Sequence, residues 1–130
     1  MIYLDSNILI YAIEDATPRG DRVRAALAAA DDTVAVSALV LHECLVGPLR
    51  AQNFDLRDRY TRVIDKLAQI ELDTAVFVRA AELRATFGIR TPDALHLAAA
   101  QIGGCSVLWT NDTRLAAASL GLAIDVVSPL

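Results

Sequence analysis

A chain of 130 residues, 55% of them hydrophobic, has enough apolar material to bury one core; this excludes a disordered segment and points to a single domain over residues 1–130. No apolar run approaches the roughly 20 residues of a membrane span, and the amino terminus lacks the basic start and cleavage site of a signal peptide, so a cytoplasmic protein without membrane contact is expected. The formal charge of -4 excludes a generally basic coat for nucleic acid but leaves room for a local site.

In chain order, Met1 to Leu4 reads as a short buried strand, and Ser6 or Asn7 caps a helix running to about Glu14. Thr17-Pro18 starts a second helix with Val23, Ala26, Leu27 and Ala30 on its apolar face. "TVAVS", residues 33–37, is the second strand; Ser37 caps a helix through Leu39, Val40, Glu43 and Val46 until Gly47 and Pro48 disturb it. Asp55 to Leu67 forms a more polar helix, "QIEL" a third strand, and Asp73 or Thr74 opens a helix that Gly88 closes. Thr91-Pro92 places an N-cap and a first-turn proline ahead of Asp93 and "ALHLAAAQI". "SVLWT", residues 106–110, is a buried strand, followed by Asn111, Asp112, a short helix ending near Gly121, and the last strand "AIDVV". Strands alternating with helices predict an α/β domain with a mainly parallel central sheet and helices on both faces. In such sheets ligands bind outside the carboxyl ends of the strands, the rim to which Asp5 and Asp112 belong.

Four acids stand out. Asp5 ends the first strand, Glu43 lies on the apolar stripe of its helix, Asp93 sits at the second position of its helix, where the dipole favours an anion, and Asp112 follows the "SVLWT" strand. None has an obvious lysine partner, Lys66 being the only lysine. Two carboxylates about 4 Å apart repel by roughly 4 kcal/mol at an effective dielectric of 20, so such a group needs protonation or a cation. Oxygen ligands with room for water suit Mg²⁺ or Mn²⁺, and two such ions suit phosphodiester cleavage.

The strings "YLDSN", "SALVLHE", "TPDALHLAAA" and "WTND", in this order over essentially the whole chain, resemble a PIN-domain ribonuclease, and more closely the VapC-type toxin of a type II toxin-antitoxin pair. The resemblance implies an endoribonuclease that uses Mg²⁺ or Mn²⁺ to activate water, forms a homodimer, and is held inactive by a cognate VapB-type antitoxin. It also implies that Asp5, Glu43, Asp93 and Asp112 are the catalytic, metal-binding acids. Ser6 and Asn7 match polar positions beside the first acid, and Thr110 and Asn111 positions beside the last, where they would hydrogen-bond the carboxylates or water at the metal. RNA would be the substrate.

Several residues have plainer readings. His96, one turn after Asp93, either faces the site or packs in the core between leucines; His42 points elsewhere and has no role. Cys44 and Cys105, without metal-ligand spacing, read as buried thiols. Arginines cluster at Arg19, Arg22 and Arg24 and again at Arg50, Arg57, Arg59 and Arg62, as solvated faces or as contacts to phosphate or an acidic partner. The first half of the Ser37–Val46 helix and the Arg50–Arg62 region are candidate partner surfaces. The rival functions are a non-catalytic PIN-like binding module and a phosphatase or receiver domain. The phosphatase reading wants a second Asp where this chain has Asn7, and both it and the receiver want a lysine at the site.

Overall fold

The structure is a computed structural model, and it describes residues 1–129. Five strands, β1 (Ile2–Leu4), β2 (Val34–Val36), β3 (Ala68–Gln69), β4 (Val107–Trp109) and β5 (Ala123–Ile124), form one parallel sheet in the order β3-β2-β1-β4-β5. Seven helices connect them: α1 (Ser6–Glu14), α2 (Pro18–Ala29), α3 (Ala38–Arg50), α4 (Phe54–Asp65), α5 (Thr74–Phe87), α6 (Thr91–Ile102) and α7 (Thr113–Ala118). The α/β architecture expected from the alternation of periods is the one observed.

Strands this short contribute few ladder hydrogen bonds, so burial has to hold the sheet. Tyr3, Leu4, Val36 and Leu108 are sealed from solvent, and each large apolar side chain so placed contributes about 1.5–3 kcal/mol. Helix α6 has an unbroken buried run, Ala94 to Ala100, interrupted in polarity only by His96. Buried on all sides, it serves as the central support of its half of the domain. The helices fall into two packed groups, α1 with α2 and α3, α3 with α4, and separately α5 with α6 and α6 with α7. Right-handed crossovers in a sheet of this order put the two groups on opposite faces.

The chain runs outward from β1 to β2 and β3 on one side, then returns to place β4 and β5 on the other. The order reverses between β1 and β4, and the crevice beyond their carboxyl ends is where such sheets bind ligands. A hydrogen bond from Asp5 N–H to the Trp109 carbonyl, 3.0 Å, carries the β1–β4 pairing up to the first acid.

Several boundaries differ from the sequence expectation. Asp5, rather than Ser6 or Asn7, caps α1, with its Oδ1 accepting from Ser6 N–H. Ser37 occupies the N-cap position of α3, but its hydroxyl makes no capping bond and turns instead to Tyr3. Asn53 caps α4, and α6 starts at Thr91 with Arg90 as N-cap, making Asp93 the third helical residue. The third strand is Ala68–Gln69 and shares only Gln69 with the expected "QIEL", and the fifth shrinks to Ala123–Ile124. Helix α3 continues through Gly47 and Pro48 to Arg50. Proline there removes only the bond to Cys44 one turn back, and its ring is buried, so packing offsets a cost usually near 3 kcal/mol. The closure of α5 by Gly88 is as expected, with φ 68° supplying the left-handed turn that a side chain would resist.

Candidate functional site

Past the carboxyl ends of β1, β2 and β4, the amino-terminal halves of α1, α3 and α6 meet through Ser6, Glu43 and His96. Asp5 is 7% exposed, and both its carboxylate oxygens are engaged: Oδ1 accepts from Ser6 N–H at 2.8 Å and Oδ2 from the Thr110 hydroxyl at 2.8 Å. Burial nevertheless raises its pKa above the ordinary carboxylate value, against the lowering influence of His96, Thr110 and Ser6, while the charge of Asp93 adds to the rise. The hydrogen bonds to Asp5 therefore do not fully offset the loss of hydration that burial imposes on its ionised form.

Glu43 reaches the same place from α3. The stripe that α3 buries is Val40, Cys44 and Pro48; Val46, expected on it, is 40% exposed. Glu43 stands at the stripe's edge and remains partly open to solvent. Its Oε1 receives the Ser6 hydroxyl at 2.7 Å and His96 Nε2 at 2.5 Å. Burial pushes its pKa up, but the bonds from His96 and Ser6 outweigh that, and the net shift is downward. Ser6 thus bridges two acids, with its amide on Asp5 and its hydroxyl on Glu43.

Asp93 and Asp112 come together on the other flank. With Arg90, Asn111 and Arg114 they line a cavity of about 440 Å³. Asp93 carries an arginine partner that the sequence spacing had not suggested, Arg90 Nε at 3.3 Å, itself largely solvent-exposed. Asp112 is the N-cap of α7, with Oδ1 accepting from the N–H groups of Arg114 and Leu115. Thr110 links the flanks, its hydroxyl donating to Asp5 and accepting the N–H of Asp112. Asn111 donates to the Tyr11 hydroxyl at 3.4 Å, and Asn7 is exposed with no side-chain bond among the described residues.

These donors are of the kind that suits a hard divalent cation: carboxylate oxygens, with no sulfur. Asp5, buried and burdened by a neighbouring charge, is the group that such an ion would relieve. The fit is one of chemistry, since among the described residues no group of three or more His, Cys, Asp or Glu side chains converges as a ready-made cage.

The model of the PIN domain matches residues 2–120. The chain belongs to the PIN-domain family. Among solved structures, this PIN domain is similar to a toxin-antitoxin complex from Klebsiella pneumoniae, with a TM-score of 0.80 and 24% identity over 97% of this chain and 98% of that one. It is also similar to FitAcB from Neisseria gonorrhoeae, TM-score 0.77 and 21% identity over 97% and 98%. A third is VapC20 of Mycobacterium tuberculosis, described as a toxin that cleaves the sarcin-ricin loop, TM-score 0.78 and 15% identity over 91% and 95%. At these identities the likeness is one of fold. No curated protein sequence matches the chain.

Sequence reasoning gave His96 two alternatives, core or site, and the structure makes it both. The ring is 1% exposed and is bonded to Glu43. Tyr3 and Ser37, on the far side of that ring, carried no signal: one looked like strand filler, the other like a helix cap. The alternation of a strand, which sets Tyr3 on the same side of β1 as Asp5, is the one pattern that points to it.

Proposed function

We propose that this PIN domain is the toxin of a VapBC-like toxin-antitoxin pair, an endoribonuclease dependent on Mg²⁺ or Mn²⁺. The observation that carries the reading is Asp5: a buried carboxylate at the topological switch point, with hydrogen bonds too few to offset its burial and a second acid, Glu43, tied to it through Ser6. Asp5, Glu43, Asp93 and Asp112 would hold the metal. When bound, it lowers the pKa of water and stabilises charge on the phosphate.

The chain's own residues supply the positioning. Ser6 and Thr110 fix the two oxygens of Asp5, and the Ser6 hydroxyl also donates to Oε1 of Glu43, which ties the two carboxylates together. The cavity beside Asp93 and Asp112 carries Arg90 and Arg114, whose guanidinium groups suit the phosphates of an RNA strand in a chain that is otherwise net acidic. The same opening holds Asp93 and Asp112, two of the four acids.

An antitoxin is the natural partner, as the Klebsiella pneumoniae relative is described as a toxin-antitoxin complex. Its inhibitory segment would present Arg or Lys to the acids. Val46 and Leu49 near the end of α3 and Phe54 at the start of α4 are exposed apolar side chains suited to an antitoxin or to a second copy of the chain in a homodimer. Phe54 falls within the Arg50–Arg62 region expected from the sequence, whereas Val46 and Leu49 lie past the first half of α3, where Val40 is buried in the core.

The test is cleavage of cellular RNA by the purified, antitoxin-free protein with Mg²⁺ or Mn²⁺, beside Asp5→Asn and Asp93→Asn. Wild type should cleave and both variants should lose at least a hundredfold. Equal cleavage by all three sinks the proposed site. Growth inhibition that survives both substitutions would instead support the non-catalytic binding module.

A further inference from the structure

His96 is a buried titratable side chain whose place beside Glu43 the four-acid reading leaves unexplained. It is 1% exposed in the middle of the apolar run of α6, and both ring nitrogens are occupied. Nδ1 lies 2.8 Å from the Tyr3 hydroxyl, and that hydroxyl lies 2.8 Å from the Ser37 hydroxyl. On the other edge of the ring, Nε2 lies 2.5 Å from Glu43 Oε1, 3.4 Å from the Ser6 hydroxyl and 3.8 Å from Asp5 Oδ1.

With a neutral imidazole the chemistry gives this chain one polarity. A carboxylate only accepts, so Nε2 carries the proton toward Glu43; Nδ1 is then the acceptor of the Tyr3 O–H, and the Tyr3 oxygen accepts from Ser37. Four elements contribute: β1 through Tyr3, the end of β2 through Ser37, α6 through His96 and α3 through Glu43. Every buried side-chain polar atom among the described residues has a partner, so the relay spans the core with nothing left unpaired. If filling space were the only need, a leucine would serve at this position without burying two polar atoms.

The contact also selects an oxygen. His96 and Ser6 both take Oε1 of Glu43, and no described residue hydrogen-bonds Oε2. One oxygen is clamped and the other is available. We propose that His96 is a positioning residue: steadied by the hydroxyls of Tyr3 and Ser37, it clamps Glu43 beside Asp5, so that the pair is already oriented when a divalent cation arrives. The inference rests on the metal-dependent reading and adds to it the reason for a buried histidine in "PDALHLA" and for the two hydroxyls behind it. Outer partners that orient metal ligands in this way commonly set affinity by 10- to 100-fold.

Calorimetric titration of the full chain with Mn²⁺ alone, followed by kcat and KM on RNA, tests it with Tyr3→Phe, His96→Leu, His96→Gln and Asp5→Asn. His96→Leu should weaken Mn²⁺ binding by about tenfold or more. His96→Gln, which keeps an N–H donor, should recover most of the loss. Tyr3→Phe conserves volume and touches no acid, so it keeps the test open should the leucine variant misfold; it should show a smaller loss of Mn²⁺ affinity. In His96→Leu and Tyr3→Phe kcat at limiting Mn²⁺ should fall while KM for RNA stays near wild type, and His96→Gln should restore most of kcat. Folded Tyr3→Phe and His96→Leu proteins that bind Mn²⁺ like wild type, while Asp5→Asn does not, overturn the role of His96 alone. A wild-type chain that takes up no Mn²⁺ overturns the metal reading beneath it, and this inference with it.

Discussion

Asp112 is assigned two tasks, and a pair of substitutions separates them. Its Oδ1 caps α7 by accepting from Arg114 and Leu115 N–H, at 2.9 and 3.1 Å. Replacing such a cap with alanine costs about 1 kcal/mol, whereas asparagine caps nearly as well as aspartate. Unfolding entropy near 2.1 cal/mol/K per residue gives this 130-residue chain about 0.27 kcal/mol/K, so 1 kcal/mol corresponds to a Tm change of about 4 °C. Asp112→Ala should therefore melt about 4 °C below wild type in chelator, and Asp112→Asn within about 1 °C of it. Cleavage tells the rest. Asp112→Asn retains the cap and loses the charge, so a metal-binding role requires its Mn²⁺-dependent rate to fall although its fold is intact. Thermal unfolding by circular dichroism and RNA cleavage on the same preparations decide the matter. Wild-type cleavage by Asp112→Asn refutes the ligand role and leaves only the cap; equal melting of the two variants refutes the capping argument.

Asp5→Asn should abolish cleavage and raise the Tm of the metal-free protein in chelator at neutral pH, because burial already raises the pKa of this carboxyl and its ionised form burdens the fold; a lower Tm would show that the hydrogen bonds to Ser6 and Thr110 outweigh that burden. Gly20→Ala would place a Cβ 1.9 Å from the Asp15 carbonyl oxygen, so the turn between α1 and α2 must shift, at a cost of about 1–3 kcal/mol and a matching fall in Tm; an unchanged Tm would refute the close approach. Hydrogen bonds from the Thr17 hydroxyl and N–H and from Arg19 lower the Asp15 pKa to about 2. The stabilising contribution is complete above the ordinary carboxylate pKa near 3.9 and disappears as pH falls through about 2, so Asp15→Asn should melt below wild type at pH 7 and level with it in strong acid.

The strand ends were legible because the period of the chain changes there. "MIYL" stops being apolar at Asp5, and "VLW" is followed by Thr110, Asn111 and Asp112, so two acids could be set on one rim before any contact was known. Helix α5 was legible for a different reason, as Asp73 and Gly88 are local signals that act on their own backbone neighbours. The two-residue strands β3 and β5 were not, since pairing with β2 and β4 rather than any sequence pattern decides how much of "QIEL" and "AIDVV" joins the sheet. Nor was the helix through Pro48, where burial of the proline outvotes local propensity.

What the sequence conceals most thoroughly is how a buried anion is made tolerable. Asp5 and Glu43 can be singled out as acids with nothing obvious to neutralise them, but the side chains that hydrogen-bond them come from distances of 37 to 105 residues along the chain. Ser6 carries an amide and a hydroxyl to two different acids, Thr110 joins Asp5 to the cap of α7, and His96 reaches Glu43 with two hydroxyls behind it. Serine, threonine and tyrosine are common in strands and caps, and nothing in their spacing distinguishes a hydroxyl that caps a helix from one that steadies a carboxylate. Ser37 shows the difference directly: the position is the cap, while the side chain belongs to the relay. The acids are therefore the part of a site such as this that composition and spacing can find. The groups that orient them emerge only when separate strands and helices are brought to the same edge of the sheet, and it is there that a charge costly to bury becomes one held ready for a cation.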